Sequence, residues 1–270
     1  MAIVDIHAHI YPDKISQRAV DSVRDFYGLE EMYSAEGTAE HLLQEQNAVQ
    51  NQASITHFCV HSVAVRPKNV LSINEFIADR CAKYPQLIGF MAMHQDCEDP
   101  EAAINHGIEL GLHGIKIHPD TQRVNADDPR LMNVYEIAQA KKLPIILHVG
   151  DYRYNFSHPK RVAKILHAFP DLVVDAAHFG GWSIYDIGFD YLRNENCFVD
   201  TSSSFELTGV RHGHELINMF GTDRVMFGSD FPMWDPAKEF DMLCSMNFSE
   251  DEFEKLTWHN AENFLGFKIN

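Results

Sequence analysis

Residues 2–9 read AIVDIHAH, a short apolar run with histidines at positions 7 and 9. Similar runs recur to the end of the chain, each of strand length and bounded by polar or turn-forming residues. They are ITHFCVHS (55–62), LIGFMAM (87–93), GIKIH (114–118), PIILHV (144–149), LVVDAAH (172–178), CFVDTS (197–202) and RVMFGSD (224–230). Together with the first run they predict eight β-strands.

Amphipathic patterns of helical length lie between these runs. They cover residues 39–51, 69–84, 98–111, 129–142, 159–169, 183–194, 211–220 and 236–265, the last as two helices. Pro100, Pro129 and Pro159 stand where a first helical turn should begin. From the second strand onward, successive strands begin 25 to 32 residues apart. This spacing is the length of one strand–helix unit.

This alternation predicts an α/β fold, a TIM-type (β/α)8 barrel that forms a single domain over residues 1–270. The alternative is a doubly wound open sheet, which usually has fewer strands and a glycine-rich phosphate-binding turn. Neither GxGxxG nor GxxxxGK occurs in the sequence, so the barrel is favoured.

Strand 2 begins 46 residues after His9, too far for an ordinary connection. Residues 11–37 therefore form an insertion, with a helix near 14–27 that ends at Gly28. The insertion leaves the carboxyl end of strand 1, where barrel active sites lie. It is either a lid over a substrate or a structural excursion.

Composition limits the classes of partner. Apolar residues make up 45% and charged residues 23%, typical of a soluble globular domain. A net charge of −17 repels phosphate backbones and anionic membranes, so we expect neither nucleic acid nor membrane as a partner. Five scattered cysteines without a CxxC pair indicate a reduced, cytoplasmic protein. We find no signal-peptide pattern and no apolar run that could span a bilayer.

His7 and His9 are two residues apart on one predicted strand, so both side chains point to the same face. That face is the barrel axis if Ile6, Ala8 and Ile10 pack outward against the helices. Two imidazoles on one face at the end of a strand can chelate a metal ion.

Further ionisable residues end later strands. His148 ends strand 5, His178 ends strand 6 and Asp230 ends strand 8. All strand ends of one kind meet at the same mouth of a barrel, and burying so many polar groups there without partners would be costly. The pattern predicts a catalytic divalent-metal site at this mouth.

Several motifs occur in one order along almost the whole chain. They are DIHAHIYP (5–12), GIKIHP (114–119), LHVGD (147–151), AHFGG (177–181), GSDFP (228–232) and NAENFLG (260–266). With them the sequence resembles the amidohydrolase superfamily, specifically its small amidohydrolase-2 branch. That branch contains aminocarboxymuconate-semialdehyde decarboxylase-like enzymes, related decarboxylases and hydratases, and lactone hydrolases.

The resemblance implies roles for the strand-end residues. It makes His7, His9 and His148 metal ligands, with Asp230 completing the site and exchanging protons with a metal-bound water. His178 becomes the histidine that polarises the substrate carbonyl, orients the water or binds a second ion. A divalent ion lowers the pKa of bound water from about 16 to near 7. We expect one or two ions, zinc first, although such ligands also admit Mn, Co or Fe.

Lys116 and His118 lie two apart on strand 4 and should both face inward, with Ile115 and Ile117 outward. In binuclear superfamily members a carboxylated lysine on this strand bridges two metal ions, and Lys116 could do so. Alternatively it binds an anionic substrate or forms a buried ion pair. His118 could contact the substrate or a second ion.

Three arginines follow strand ends and could clamp a substrate carboxylate through paired hydrogen bonds: Arg66, Arg123 and Arg153. The alternative for each is an ordinary solvated loop side chain. His61 and His94 end strands 2 and 3, where they either line the pocket or make structural hydrogen bonds.

The sequence favours a metal-dependent hydrolase of a small amide, ester or lactone. The alternative is nonoxidative decarboxylation of a small unsaturated or aromatic acid. The HxH motif, where several of the decarboxylases have ExH, and the short chain favour hydrolysis, although semialdehyde decarboxylases also carry HxH. A third possibility is a noncatalytic barrel that only binds a metal ion or a small molecule. Such a barrel would lack one of the metal-binding residues, or side chains would fill its pocket. The resemblance also makes a homodimer possible.

Overall fold

The computed structural model describes residues 2–30, 32–34, 36–45 and 54–269. Within them, eight parallel strands pair in chain order, β1 to β8. They are β1 (Val4–His9), β2 (His57–His61), β3 (Leu87–Ala92), β4 (Gly114–Ile117), β5 (Ile145–Leu147), β6 (Val174–Ala176), β7 (Phe198–Asp200) and β8 (Val225–Met226). Every predicted strand is confirmed, and several are shorter than their apolar runs.

The sheet curves so that its first and last strands meet. The backbone N–H of Ile6 donates to the carbonyl of Phe227 at 2.9 Å, and that of Asp230 donates to the carbonyl of His7 at 2.8 Å. Because these bonds join β1 to the chain after β8, the strands form the predicted barrel. The second bond also joins His7 to Asp230 at the mouth of the barrel.

Helices follow the strands around the outside of the barrel. They are α1 (Ser16–Tyr27), α2 (Ala39–Glu45), α3 (Val70–Lys83), α4 (Pro100–Glu109), α5 (Pro119–Gln122), α6 (Pro129–Lys141), α7 (Pro159–Ala168), α8 (Tyr185–Leu192), α9 (Phe205–Phe220), α10 (Pro236–Cys244), α11 (Glu250–Glu254) and α12 (Asn260–Leu265). A 3-10 turn, Pro67–Asn69, precedes α3, and a π turn, Lys255–His259, joins α11 to α12. Among these described helices, none has the length and apolarity needed to cross a bilayer.

The predicted helices are confirmed with small shifts at their ends. Residues 46–51 of the predicted helix 39–51 lie outside the described residues. Helix α9 begins at Phe205, earlier than the expected 211, and Gly209 interrupts its first turns with φ 72°. Because glycine breaks the helical pattern there, only the later part was readable from the sequence.

Proline starts three helices as predicted. Pro100, Pro129 and Pro159 each lie in the first turn, where a missing N–H costs no hydrogen bond. Asp99 and Asp128 precede the first two and accept hydrogen bonds from backbone N–H groups of the first turn. These caps set where the helices begin.

Most buried apolar side chains fill the layer between the strands and the helices, and Ala8 and Ile10 belong to this layer. A second cluster joins residues of five strands to α12 and includes Ile6, Phe90 and Phe264. Ile6 therefore does not pack in the same layer as Ala8 and Ile10, contrary to the expectation that all three pack together. The β1–β2 register shifts between Asp5 and Ala8, and such an irregularity breaks strict alternation along a strand.

The insertion has the predicted helix. Residues 11–30, 32–34 and 36–37 of it are described, and α1 ends at Gly28, which adopts the left-handed conformation at φ 68°. The hydroxyl of Tyr27 lies 2.8 Å from Nε2 of His118, at the carboxyl end of β4. This contact ties the end of α1 to the mouth of the barrel.

Candidate active site

Six histidines form a continuous row across the carboxyl-terminal mouth of the barrel. Ring centroids of neighbours are 4.4 Å apart for His9–His61, 4.8 Å for His61–His7, 5.0 Å for His7–His178, 4.8 Å for His178–His148 and 3.8 Å for His148–His118. All but the half-exposed His9 are buried. The structure thus brings the predicted histidines to one place, and adds His61.

Burial favours the neutral form of five of these imidazoles, those of His7, His9, His61, His118 and His148. Burial and nearby Lys116 together lower the pKa of His7 to about 3, against the opposing effect of Asp200. Burial also lowers the pKa of His9, and puts the pKa values of His61, His118 and His148 well below the ordinary range. A neutral imidazole has a free ring lone pair, which is the form that binds metal ions.

His7 is oriented by Asp200 at the end of β7. Its Nδ1 lies 2.7 Å from Oδ2 of Asp200, and both side chains are fully buried. A carboxylate accepts only, so Nδ1 carries the proton and Nε2 keeps its lone pair. The hydroxyl of Ser202 donates to the other oxygen of Asp200 at 2.6 Å and holds the carboxylate in place. This is the carboxylate–histidine arrangement that orients metal ligands in proteins.

Lys116 faces inward, as predicted. Its Nζ lies 2.7 Å from Nε2 of His7 and donates to it. Burial lowers the pKa of Lys116 to about 8, against the opposing effect of the Asp230 and Asp200 carboxylates. The amine is therefore partly neutral near physiological pH. Its carboxylation stays a prediction.

Asp230 lies beside the two strand-1 histidines. Its Oδ1 is 3.2 Å from Nε2 of His9 and 3.6 Å from Nε2 of His7, while Ser203 donates to its Oδ2 at 2.5 Å. Burial alone would raise the pKa of Asp230, but the hydrogen bond with His9 and the proximity of His7 hold it well below its usual range. Asp230 is thus an ionised carboxylate.

Backbone strain accompanies this placement. Asp230 has φ 64° and His178 has φ 61°, values in the left-handed region that residues other than glycine avoid. Each costs free energy that the surrounding structure must supply, and such residues concentrate at functional sites. The two residues that the sequence predicted to be catalytic are thus among the eight described non-glycine residues with such φ values.

The donor atoms around His7 and His9 suit a divalent metal ion. Ring nitrogens of His7, His9 and His61 lie within 4.8 Å of one another, with Oδ1 of Asp230 alongside. Neither ring nitrogen of His61, nor Nδ1 of His9, has a hydrogen-bond partner among the residues that the structure describes. Unpaired buried nitrogens are costly, and a metal ion would satisfy them. These residues therefore fit such an ion.

His148 lies on the other side of His178. Its Nδ1 is 3.0 Å from Nε2 of His178, and its Nε2 is 2.9 Å from the carbonyl of Gly150. It groups with His118 and Asp120, whose ligand atoms lie within 4.8 Å of one another. The predicted set of His7, His9, His148 and Asp230 is thus split, and ligation by His148 stays a prediction.

A cavity of about 710 Å³ opens above this row of side chains. Its floor includes His7, His9, His118, His148, His178 and Asp230. The insertion lines it from Tyr11 to Met32, which supports the lid alternative for residues 11–37 over a purely structural excursion. The cavity has the size and mainly apolar lining of a small-molecule site.

The three predicted arginines occupy different places. Arg123 lines the cavity and is the cationic side chain among its described lining residues. Arg66 is exposed and lies outside that lining. Arg153 pairs with Asp151 at 2.6 Å and lies 5.4 Å from the ring centre of Tyr27, so it supports the end of α1. Substrate binding by these arginines stays a prediction, which the structure favours for Arg123.

Sequence reasoning missed Asp200, Asp120 and Tyr27. The sequence contains a signal for Asp200, because this residue ends the predicted strand CFVDTS at 197–202. A carboxylate at the end of a strand is the same signal that identified Asp230 after β8. Asp120 is buried in the short helix α5, and its Oδ1 has no hydrogen-bond partner within the described chain. Tyr27 reaches the site only through the folding of the insertion, which no local pattern predicts.

Comparison with known proteins agrees with this architecture. The model of the amidohydrolase family matches residues 4–267. A curated relative, 2-amino-3-carboxymuconate-6-semialdehyde decarboxylase of Dictyostelium discoideum, is 26% identical, with 76% of this chain and 69% of the relative covered. Gamma-resorcylate decarboxylase of Polaromonas sp. is 24% identical, with 73% and 75% covered.

A solved structure extends the likeness to the fold. 5-Carboxyvanillate decarboxylase of Novosphingobium aromaticivorans superposes with a TM-score of 0.75 at 18% identity, covering 98% of this chain and 96% of that one. That structure is a complex with manganese and 4-hydroxy-3-methoxy-5-nitrobenzoic acid. At this identity the likeness establishes the shared fold.

Proposed function

This chain belongs to the amidohydrolase family, and we propose that it is a metal-dependent decarboxylase of a small aromatic or unsaturated carboxylic acid. One observation carries the proposal: the ionised Asp230 lies against His7 and His9 on the floor of a largely apolar cavity. That floor offers metal ligands and a proton-carrying carboxylate together. Both curated relatives described above are decarboxylases, which favours this reaction.

His7, His9 and Asp230 would hold the metal ion, with His61 and His148 as the further nitrogen donors nearby. When bound, a divalent ion supplies Lewis-acid stabilisation of negative charge on substrate oxygens. The manganese in the structure of the relative makes manganese as good a candidate as zinc. Asp200 fixes the tautomer of His7 so that Nε2 is the nitrogen available to a ligand.

The reaction breaks the bond between the substrate carbon and its carboxylate, and carbon dioxide leaves. The electron pair stays on the carbon, which then takes a proton. Asp230 receives a proton from a substrate hydroxyl or from water and delivers it to that carbon. A positioned carboxylate can act in this way first as general base and then as general acid.

Two further side chains orient the substrate. Arg123 lines the cavity and would hold an anionic group of the substrate at a distance from the metal ligands. His178 donates from Nδ1 to the carbonyl of Ser202 at 2.9 Å, which directs its Nε2 away from β7. A substrate hydroxyl next to the reacting carbon would donate to that nitrogen in place of its present contact with Nδ1 of His148.

Hydrolysis was the first expectation from the sequence, on the HxH motif and the chain length. Semialdehyde decarboxylases share that motif, so it does not separate the two reactions. The decarboxylase relatives favour the alternative instead. The proposed activity is therefore carbon dioxide release rather than attack of water on an amide, ester or lactone.

The test is a panel of hydroxybenzoates, unsaturated acids and lactones offered to the manganese-loaded protein. We expect carbon dioxide from at least one acid, and a loss of at least a hundredfold in kcat for Asp230→Asn with unchanged circular dichroism. Asp190→Asn, at an exposed carboxylate of α8, is the matched control. Acid release from a lactone without carbon dioxide from any acid would assign the hydrolase instead.

A further inference from the structure

The cavity continues beyond its polar floor into a space between α1 and α3. We call this space the apolar arm. Its apolar walls are Ile15, Ala19, Val23 and Phe26 on the α1 side and Ile73 and Phe76 on the α3 side, and the polar side chains of Ser22, Asn69 and Ser72 also line the cavity there. The arm opens directly from the floor that holds His7 and Asp230, so one bound molecule can occupy both.

Helical spacing places these side chains on single faces. On the α1 side, positions 15, 19, 23 and 26 follow a period of nearly four, and on α3 positions 73 and 76 are three apart. Helix α1 also buries Ser16 and Val20, and Val23 lies on the same side of the helix as these two. At the end of the helix, Phe26 stacks on Tyr154 with ring centres 5.8 Å apart, so Ile15, Ala19 and Val23 are the side chains on the α1 side that face the arm without such a ring contact.

Apolar side chains of the arm are left partly covered. Ala19, Val23, Phe26, Ile73 and Phe76 are all half-buried. Two helices that present apolar faces to each other across an open space bury them only when something apolar fills it. Contiguous uncovered apolar surface of this kind marks a ligand-binding groove.

The volume also exceeds what a single-ring acid needs. Cavities of roughly 300–1,000 Å³ hold drug-sized ligands, and this one measures about 710 Å³. A benzoate bound at the floor would leave the arm empty. The named walls of the arm carry no charge, whereas Arg123 and the metal ligands lie elsewhere in the lining.

We infer that the substrate is an acid with an extended apolar substituent, an alkyl or aryl group of several carbons. Its carboxylate binds at the floor, and its substituent lies in the arm between α1 and α3. This assignment rests on the proposed decarboxylase function and defines its substrate class. Each methylene buried in the arm strengthens binding by up to about fourfold.

The experiment uses a series of 2,6-dihydroxybenzoates with hydrogen, methyl, propyl or pentyl at the position opposite the carboxylate. Carbon dioxide release by the manganese-loaded protein gives kcat and KM for each acid. Calorimetry gives the affinity of the corresponding resorcinols, which cannot react. We expect KM and the dissociation constants to fall at least tenfold from hydrogen to pentyl, with kcat changing less, because the arm is remote from the reacting bond.

Ala19→Phe tests the location. The added ring fills the arm, so the increase in affinity from the hydrogen to the pentyl compound should fall to about twofold or less. Gln17→Phe adds the same ring to an exposed position of α1 outside the cavity lining and should keep the full gain. Loss of the gain in both variants, or in neither, would overturn the assignment to the arm.

The two proposals fail in different ways. Carbon dioxide from the unsubstituted acid with no dependence of KM or affinity on chain length would overturn the arm and keep the decarboxylase. No carbon dioxide from any acid would overturn the decarboxylase, and resorcinol affinities would then still support or refute the arm. A flat series, together with a dimer that Ala19→Phe dissociates in sedimentation, would assign these helix faces to self-association and refute a substrate arm.

Discussion

Asp200 controls which nitrogen of His7 faces the centre of the site. Its carboxylate accepts from Nδ1 at 2.7 Å, so the ring lone pair is on Nε2, where it now accepts from Lys116. Burial alone would raise the pKa of Asp200, but its interaction with His7 holds the pKa well below the usual range. The charge of Asp200 therefore persists in the buried site and keeps the imidazole in one tautomer.

Asp200→Asn should weaken metal binding by 10- to 100-fold, because a neutral amide orients His7 less strongly and permits the other tautomer. Titration of the metal-free protein with Mn²⁺ measures the effect. Asp190→Asn, which removes an exposed carboxylate, controls for the change in net charge. Equal affinities of the two variants would show that Asp200 does not orient a metal ligand.

Glu239 in α10 is a buried carboxyl away from the row of histidines. Neither oxygen has a hydrogen-bond partner in the described part of the chain, and burial raises its pKa well above the ordinary value. The unfolded chain loses this proton near pH 4.5, whereas the folded chain keeps it to higher pH. The contribution of Glu239 to stability is therefore full below pH 4.5 and declines as pH rises toward the raised pKa.

Glu239→Gln should remove that decline. Relative to the parent protein, the free energy of unfolding of the variant should increase by about 1.4 kcal/mol per pH unit across this window. Urea unfolding at pH 5 and pH 8 measures the difference. Glu136→Gln, at an exposed position of α6, serves as control. A Glu239→Gln effect that is the same at both pH values would contradict the argument.

At the scale of elements, α1 connects the insertion to the site. Its last residue, Tyr27, contacts His118, and the main-chain carbonyl of Phe26 accepts from Arg153 at 2.6 Å. Gly28 ends the helix at φ 68° with its N–H bonded to the carbonyl of Arg24. The position of the cavity wall therefore depends on a left-handed cap that glycine adopts without strain.

Gly28→Ala should loosen the end of α1 at a cost of about 1 kcal/mol, since alanine resists the left-handed conformation. Nothing lies within 4 Å of the added Cβ, so the cost is conformational and not steric. Hydrogen exchange of α1 amides should accelerate about fivefold, the equivalent of that free energy. Gly266→Ala, at the left-handed cap of α12, should accelerate exchange there and leave α1 unchanged. Unaltered exchange in α1 would refute the role of Gly28.

At the scale of the whole molecule, the site joins strands from opposite ends of the chain. His7 and His9 come from β1, while Asp230 follows β8 and donates its N–H to the carbonyl of His7. A metal ion held by these residues would link the two strands at which the barrel closes. Metal binding and barrel stability should therefore be coupled.

Removal of the metal by a chelator should lower the thermal midpoint. At a free metal concentration 100 times the dissociation constant, binding contributes about 2.7 kcal/mol, equivalent to roughly 5–10 °C for a protein of this size. Differential scanning calorimetry with and without Mn²⁺ measures the shift. The double variant His7→Ala, His9→Ala should show no metal-dependent shift. Equal midpoints for the chelated and loaded parent protein would contradict a metal site at these residues.

Location and assembly stay predictions from the sequence. The scattered cysteines predict a cytoplasmic protein, and none of them forms a disulfide among the residues that the structure describes. The homodimer rests on resemblance to the family alone. The cellular location and the oligomeric state both depend on molecules other than this one chain.

Local patterns determined the barrel and the mouth at which the site lies. Strand and helix periods, proline positions and the histidines at strand ends are properties of a few neighbouring residues, so they can be predicted from the sequence. The strand-end rule then brings His7, His9, His178 and Asp230 to one mouth without any knowledge of packing. The motifs supplied the family.

Only the tertiary structure decided how those residues pair. Asp200 meets His7 across 193 residues of sequence, and Tyr27 meets His118 across 91. The grouping of His148 with His118 and Asp120 depends on ring orientation, which no period encodes. The packing of Ile6 apart from Ala8 and Ile10 accompanies a register shift, which no period encodes either. The apolar arm likewise exists only because α1 and α3, far apart in the chain, present their faces across one space. Long-range packing sets such distances, and a local pattern contains no information about them.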